Sequence, residues 1–186
     1  MIEIKTKQES LRLINSLKLN KLPEIYLKRF NEKEVLKFLK EYPAKYYAVR
    51  SKSQAGSKIF NFKVERNDVV SYVNSLTEFS INVSSFGFSN HQLCTGEVRI
   101  GRDMSISVCV SNNPEFSARD AGLIPDYNFI STIDDVRVKK IKGLKEVIDY
   151  IFKHELFDII VEFAAFDILL GTRNENVVIF ELRTAY

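Results

Sequence analysis

DIIVEFAAFDILLGTRNENVVIFELR, residues 158–183, holds two apolar runs on either side of a polar turn. The pattern predicts two paired strands. Nearly every position in both runs is apolar, so both faces of these strands are expected to be covered. Each run nevertheless carries a carboxylate, Glu162 in the first and Glu181 in the second, and Arg183 follows two residues later. An unpaired buried carboxylate is costly, so each of these groups needs a cation, a donor or a metal beside it. Period-two alternation puts Glu181 and Arg183 on one face of their strand and Phe180 and Leu182 on the other. Two readings stay open: a Glu–Arg pair on a partly buried sheet, or two metal-holding carboxylates beside a phosphate-binding arginine. Hairpin geometry separates them in part. In a regular hairpin the two glutamates stand directly opposite only if the turn is centred between Gly171 and Thr172. A later turn separates them unless a bulge intervenes.

The rest of the chain sets the context. Its 186 residues, 45% hydrophobic and 27% charged, suit one globular domain or two small subdomains with a proper core. No run reaches transmembrane length, and MIEIKTKQES at the start has no apolar signal core, so a cytoplasmic protein with no membrane partner is expected. Cys94 and Cys109 lack a CxxC context and read as reduced thiols. His91 and His154 have no ligand cluster near them in sequence, which argues against zinc. Residues 1–58 hold fourteen Lys or Arg against six Asp or Glu, whereas residues 59–186 hold thirteen against eighteen. The basic first third suits a polyanion: nucleotide phosphates, nucleic acid or an acidic protein partner. A solvated lysine-rich surface is the plainer alternative.

Along the chain, Thr6–Glu9 reads as a capping box opening a helix, and Pro23 to Phe30 as a turn or short helix. Asn31 caps a second helix that Pro43 ends. A basic helical segment over 1–44 is therefore expected ahead of an α+β domain over 45–186. In that domain, Tyr46 to Ser51 and Ile59 to Glu65 read as paired strands, and a helix follows from Asn67 or Asp68. Further strands are expected at Phe79–Val83, Glu97–Gly101, Met104–Val110 and Tyr127–Ile133, and the clearest helix at Leu144–Leu156. The fold class is α+β, with helices first and then a largely antiparallel sheet. The fourteen phenylalanines and eight tyrosines fall at core-like spacing, which gives little support to a stacking row for single-stranded nucleic acid.

Two stretches could carry chemistry. In AVRSKSQAGS, residues 48–57, a strand ends in cations and enters a small-residue loop. Arg50 can form a fixed fork, Lys52 a mobile charge, and Gly56 a point of close backbone approach to phosphate. The second stretch is the terminal carboxylate pair, whose oxygen donors suit Mg²⁺. Glu97 reads as a surface strand residue. No Ser-His-Asp arrangement, Rossmann glycine fingerprint or P-loop is present.

Together, YYAVRSKSQAGSKIFNFKV and IIVEFAAFD…NVVIFELR resemble the nucleotide-binding half of the ATP-grasp superfamily. Their strand, cation, glycine loop, returning strand and closing acidic strand pair follow the family order. The VRS and VEF…FELR phrases are nearest to the ATP-binding domain of the phosphoenolpyruvate synthase and pyruvate phosphate dikinase branch. The resemblance implies ATP and Mg²⁺ as cofactors, in a ligase or phosphotransferase with a second substrate. It implies that Arg50 contacts phosphate, with Lys52 beside it and Gly56 and Ser57 covering it. Glu162 and Glu181 would hold the metal, and Arg183 would neutralise the transferred phosphoryl group. The chain departs from the family in having one glycine in the loop and only about 44 residues before the first strand. The alternative is a reduced, non-catalytic interaction module that keeps the fold and binds nucleic acid or an acidic partner. A homo-oligomer completed through exposed strands is a third expectation.

Overall fold

The structure, a computed structural model, describes residues 3–52, 58–116 and 123–184. The chain divides into two compact units, Leu22–Ser89 and Met1–Lys21 with Asn90–Tyr186. Each is built on one sheet, and every strand pairing among the described residues is antiparallel. The α+β class expected from the sequence is therefore the observed one.

The smaller unit runs β1 (Glu24–Leu27), α2 (Glu32–Glu41), β2 (Tyr46–Lys52), β3 (Lys58–Glu65), α3 (Val69–Val73) and β4 (Phe79–Val83), α1 being the helix Lys7–Ser16 of the larger unit. Its sheet order is β1-β4-β2-β3. Asn31 caps α2, its side chain accepting from the Glu34 N–H, and Val35, Phe38 and Leu39 are buried. Tyr47, Val49, Val69, Val73, Phe79 and Ile81 are fully buried as well, so one sheet face carries the core of this unit. Residues 24–27, expected in a turn or short helix, form the edge strand β1 instead. Leu27 is buried and Tyr26 exposed, and pairing with β4 outweighs the weak local signal from Pro23. The other face departs from the expectation for the aromatics. Tyr26 is 57% and Phe60 53% exposed, and Phe62 is also exposed. Cross-strand register sets Tyr26, Ser80, Arg50 and Phe60 in one row across all four strands.

The larger unit takes α1 (Lys7–Ser16), β5 (Gln92–Ile100), β6 (Ser105–Ser111), β7 (Tyr127–Thr132), α4 (Val136–Lys140), α5 (Leu144–Lys153), β8 (Ile159–Leu170) and β9 (Glu175–Thr184). Its sheet order is β7-β6-β5-β8-β9. The capping box of α1 is formed: the Thr6 hydroxyl accepts from the Glu9 N–H, and the Glu9 carboxylate accepts from the Thr6 N–H. Asp135 caps α4, a short helix the sequence reading did not include, its side chain accepting from the Arg137 N–H. Leu144, Val147, Ile148 and Ile151 of α5 pack with Val98, Val108, Val161, Phe163 and Leu182 in one apolar cluster.

The N-terminal segment closes the free edge of β9. Ile4 N–H donates to the Thr184 hydroxyl at 2.6 Å, Leu182 N–H to the Ser10 hydroxyl at 2.7 Å, and Ile179 N–H to the Asn20 carbonyl at 2.9 Å. Edge donors that would otherwise invite pairing with another chain are thereby used. Asn20 is the centre of this seam. Its amide donates to the carbonyls of Leu170 (2.9 Å) and Val177 (2.7 Å), and its side-chain oxygen accepts from Arg173 N–H at 2.9 Å. Its own N–H donates to the buried Tyr150 hydroxyl, whose pKa burial pushes up to about 12. Asn20→Ala leaves one buried carbonyl, one partly buried carbonyl and one N–H without these partners. The variant is expected to lose about 2–4 kcal/mol in denaturant unfolding. A loss below about 0.5 kcal/mol would show that Asn20 does not pin the β8–β9 turn.

Candidate functional site: an acidic row across the five-stranded sheet

Whether Glu162 and Glu181 meet depends on the β8–β9 hairpin. Leu170 pairs with Glu175, which centres the turn between Thr172 and Arg173, one residue later than a regular hairpin would require. Two irregularities compensate. Four residues of β8, 166–169, lie opposite the single residue Asn176 of β9. Phe180 is then the one extra residue on β9 between the pairs Phe163–Ile179 and Glu162–Glu181. The Asn176 amide satisfies the looped-out β8 carbonyls of Phe166 (3.1 Å) and Ile168 (3.3 Å), which stabilises the first irregularity. The net result is that Glu162 and Glu181 are direct cross-strand partners.

A third carboxylate extends the pair. Glu97 of β5 is the cross-strand partner of Glu162 on the other side, so Glu97, Glu162 and Glu181 stand in line on three neighbouring strands. Val98, Val161 and Leu182, one residue along each strand, are buried in the core, so the three acids share the opposite face. Strands lie about 4.8 Å apart and like charges directly opposite are destabilising, so such a row needs cations. Two are in place. The Arg183 guanidinium Nη2 pairs with Glu97 Oε2, and Lys7 Nζ lies 3.5 Å from Glu181 Oε2. Glu181 is only 9% exposed, which strengthens its need for a counter-charge.

One step along the same face, the register places Ser107, Arg99, Ile160 and Arg183 in the next row. Arg99 is held by Asp158, Nη2 to Oδ1 at 3.2 Å, and Arg102 reaches the other oxygen of that carboxylate at 3.4 Å. An acidic row thus lies beside a basic one. Cys109, the β6 neighbour of Glu97, feels the acids: burial first, and then Glu97, push its thiol pKa up. Burial likewise pushes Cys94 up to about 12. Both cysteines are free and held as thiols, which suits structural rather than nucleophilic roles.

Of the residues singled out in the sequence, the structure brings Glu162, Glu181 and Arg183 onto one face. Glu97, expected to be a surface strand residue, belongs with them. Its signal was in the sequence: Glu97-Val98-Arg99 repeats the Glu-apolar-Arg order of Glu181-Leu182-Arg183. Arg50 belongs to the smaller unit, on β2, its guanidinium 4.7 Å from the Phe60 ring centre. Lys52 ends β2, and Gly56 and Ser57 lie outside the described residues. The expected hairpin around that loop is present, with Lys52 and Lys58 as its last backbone pair.

Among the described residues, no three His, Cys, Asp or Glu side chains are grouped to hold a metal. The fit of a hard cation therefore rests on Glu162 and Glu181 as an opposed pair of oxygen donors. Mg²⁺ needs no more from a protein, since it keeps waters and takes substrate phosphates as its other ligands. The residues present fit that kind of site.

No protein-family model matches the chain, and no curated protein matches it in sequence. Solved structures do match in fold. The chain is similar to the macrocyclase MdnC from Microcystis aeruginosa MRC, solved with its precursor peptide MdnA, at 13% identity and a TM-score of 0.51. The match covers 95% of this chain and 51% of the macrocyclase. D-alanine-D-alanine ligases from Coxiella burnetii (10% identity, TM-score 0.44) and Helicobacter pylori (15%, 0.43) also match. These likenesses cover 96% and 95% of this chain and 47% and 53% of the respective ligases. The fold is ATP-grasp-like. The chain spans about half the length of these ATP-grasp-like relatives. None of its helices, among the described residues, is long and apolar enough to cross a membrane.

Proposed function

We propose that this protein binds Mg·ATP and uses it in an ATP-dependent ligation or phosphoryl transfer. The observation that carries the reading is the direct pairing of Glu162 with Glu181 on the closing strands of an ATP-grasp-like fold. In this reading the two glutamates hold the metal, and Arg183 offsets charge on the transferred group. Arg50, Lys52 and the loop at Gly56 and Ser57 engage phosphate. A Mg²⁺ held by Glu162 and Glu181 would supply neutralisation of the phosphate charge. The chain's own work is positioning. The two acids sit on paired strands that move little, so the reacting phosphate meets preset charges. The nearer likeness to the phosphoenolpyruvate synthase branch rests on the VRS and VEF…FELR phrases alone.

Calorimetric titration with ATP tests the proposal. Binding is expected with Mg²⁺ present and is expected to disappear with EDTA. No heat and no thermal shift at millimolar Mg·ATP would sink it.

A second reading draws on the exposed face of the smaller sheet. Tyr26, Phe60 and Phe62 are exposed there beside Arg50, and Lys63 Nζ lies 4.0 Å from the Phe86 ring centre. Rings interleaved with cations suit stacked bases and their phosphates, so an interaction module for single-stranded nucleic acid is the alternative function. Steep weakening of oligonucleotide binding with salt, without dependence on Mg²⁺, would favour it over the ATP reading.

A further inference from the structure

The Arg183–Glu97 ion pair reaches across an intervening strand. Arg183 is on β9 and Glu97 on β5, with β8 between them, so the two side chains together bridge roughly 10 Å of sheet. Glu162 is the residue of β8 paired with Glu97, and Ile160 is the one paired with Arg183. The bridge therefore passes over β8 alongside Glu162. A guanidinium could have paired locally, since Glu181 is two residues away on the same face. Instead it is engaged at the far end of the acidic row, and Lys7 serves Glu181. The pair is largely withdrawn from water, with the side chains 32% and 13% exposed, so its charge acts on the neighbouring carboxylates with little screening.

We propose that Arg183, anchored across β8 by Glu97, is a resident cation of the acidic row beside Lys7 and makes metal binding conditional on a phosphate ligand. While the guanidinium lies along the row, its charge opposes a bare divalent ion at Glu162 and Glu181. An incoming phosphate offers Arg183 a bidentate partner of higher charge than Glu97 and draws it away. The metal then enters with the phosphate rather than before it. Glu97 is a positioning residue in this arrangement, and Arg183 sets the order of binding. The inference rests on the metal site proposed above.

Mn²⁺ binding followed by electron paramagnetic resonance tests it in the full chain, with and without a non-hydrolysable ATP analogue. The wild type is expected to bind Mn²⁺ alone weakly, and much more tightly with the analogue. Arg183→Gln is expected to bind Mn²⁺ alone about tenfold more tightly than wild type, because a like charge beside the site is gone. Arg183→Lys keeps the charge and should stay within about threefold of wild type. Glu97→Asp keeps the anchor and should preserve the wild-type order of binding. Equal Mn²⁺ affinity in wild type and Arg183→Gln overturns the gating role and leaves the metal site standing. Binding by both only with the analogue has the same meaning. Absence of Mn²⁺ binding by either protein, analogue present or not, overturns the gating role and the metal site together. Circular dichroism and thermal melts of each variant separate these outcomes from loss of fold.

Discussion

Exchanging both row glutamates, Glu162→Gln with Glu181→Gln, is expected to weaken Mg·ATP binding by roughly 100-fold or more. Glutamine keeps the size and most of the hydrogen bonding of each side chain but removes both negative charges. The lost interaction is thus that with the metal, not packing. The fold should survive. Glu162 and Glu181 are like charges directly opposite one another, and relief of their repulsion offsets the weakened contact from Lys7, which lies 3.5 Å away at the partly exposed margin. A melting temperature within a few degrees of wild type, together with no detectable calorimetric binding, is the expected pair of results. Undiminished binding by the folded double variant would remove the metal role from these residues.

Gly96→Ala is expected to have the largest effect on stability. Gly96 sits in the middle of β5, between its partners Val110 on β6 and Phe163 on β8. Its φ of +146° is a conformation that side-chain-bearing residues rarely adopt. A β-carbon there would press on the Cys109 carbonyl oxygen and lie 2.7 Å from the Val110 α-carbon. Both are backbone atoms of β6, an interior strand, and cannot rotate aside. The sheet must open or shift, at a cost of about 4 kcal/mol or more, enough to unfold a marginal unit. Denaturant unfolding followed by far-ultraviolet circular dichroism measures it, and a cost under about 1 kcal/mol would contradict the geometry. Because Glu97 is the next residue, a milder distortion would also move the third acid out of line.

The sequence by itself determined the local parts. Thr6 with Glu9 fixed the start of α1, and Asn31 the start of α2, because caps act within one turn. The apolar face of Leu144–Ile151 specified α5, and alternation put Glu181 and Arg183 on the side of β9 away from Leu182. The order of strand, cation, loop, returning strand and closing acidic pair was enough to suggest the ATP-grasp likeness that the fold bears out.

What joins distant residues was decided only in three dimensions. Glu162 faces Glu181 because four residues of β8 bow out against Asn176 and Phe180 adds one residue to β9. Such irregularities arise from packing on both sheet faces and leave no period in the sequence. Glu97 joined the acids through pairing of β5 with β8, more than sixty residues away in the chain. Residues 24–27 became a strand because β4 offered an edge, against a local signal for a turn. The exposure of Tyr26, Phe60 and Phe62 likewise depended on which sheet face received α2 and α3, and aromatic spacing alone is the same for either face. The sequence placed acids and cations at the right parity along each strand. Register between strands, which tertiary packing sets, turned that parity into a row of charges.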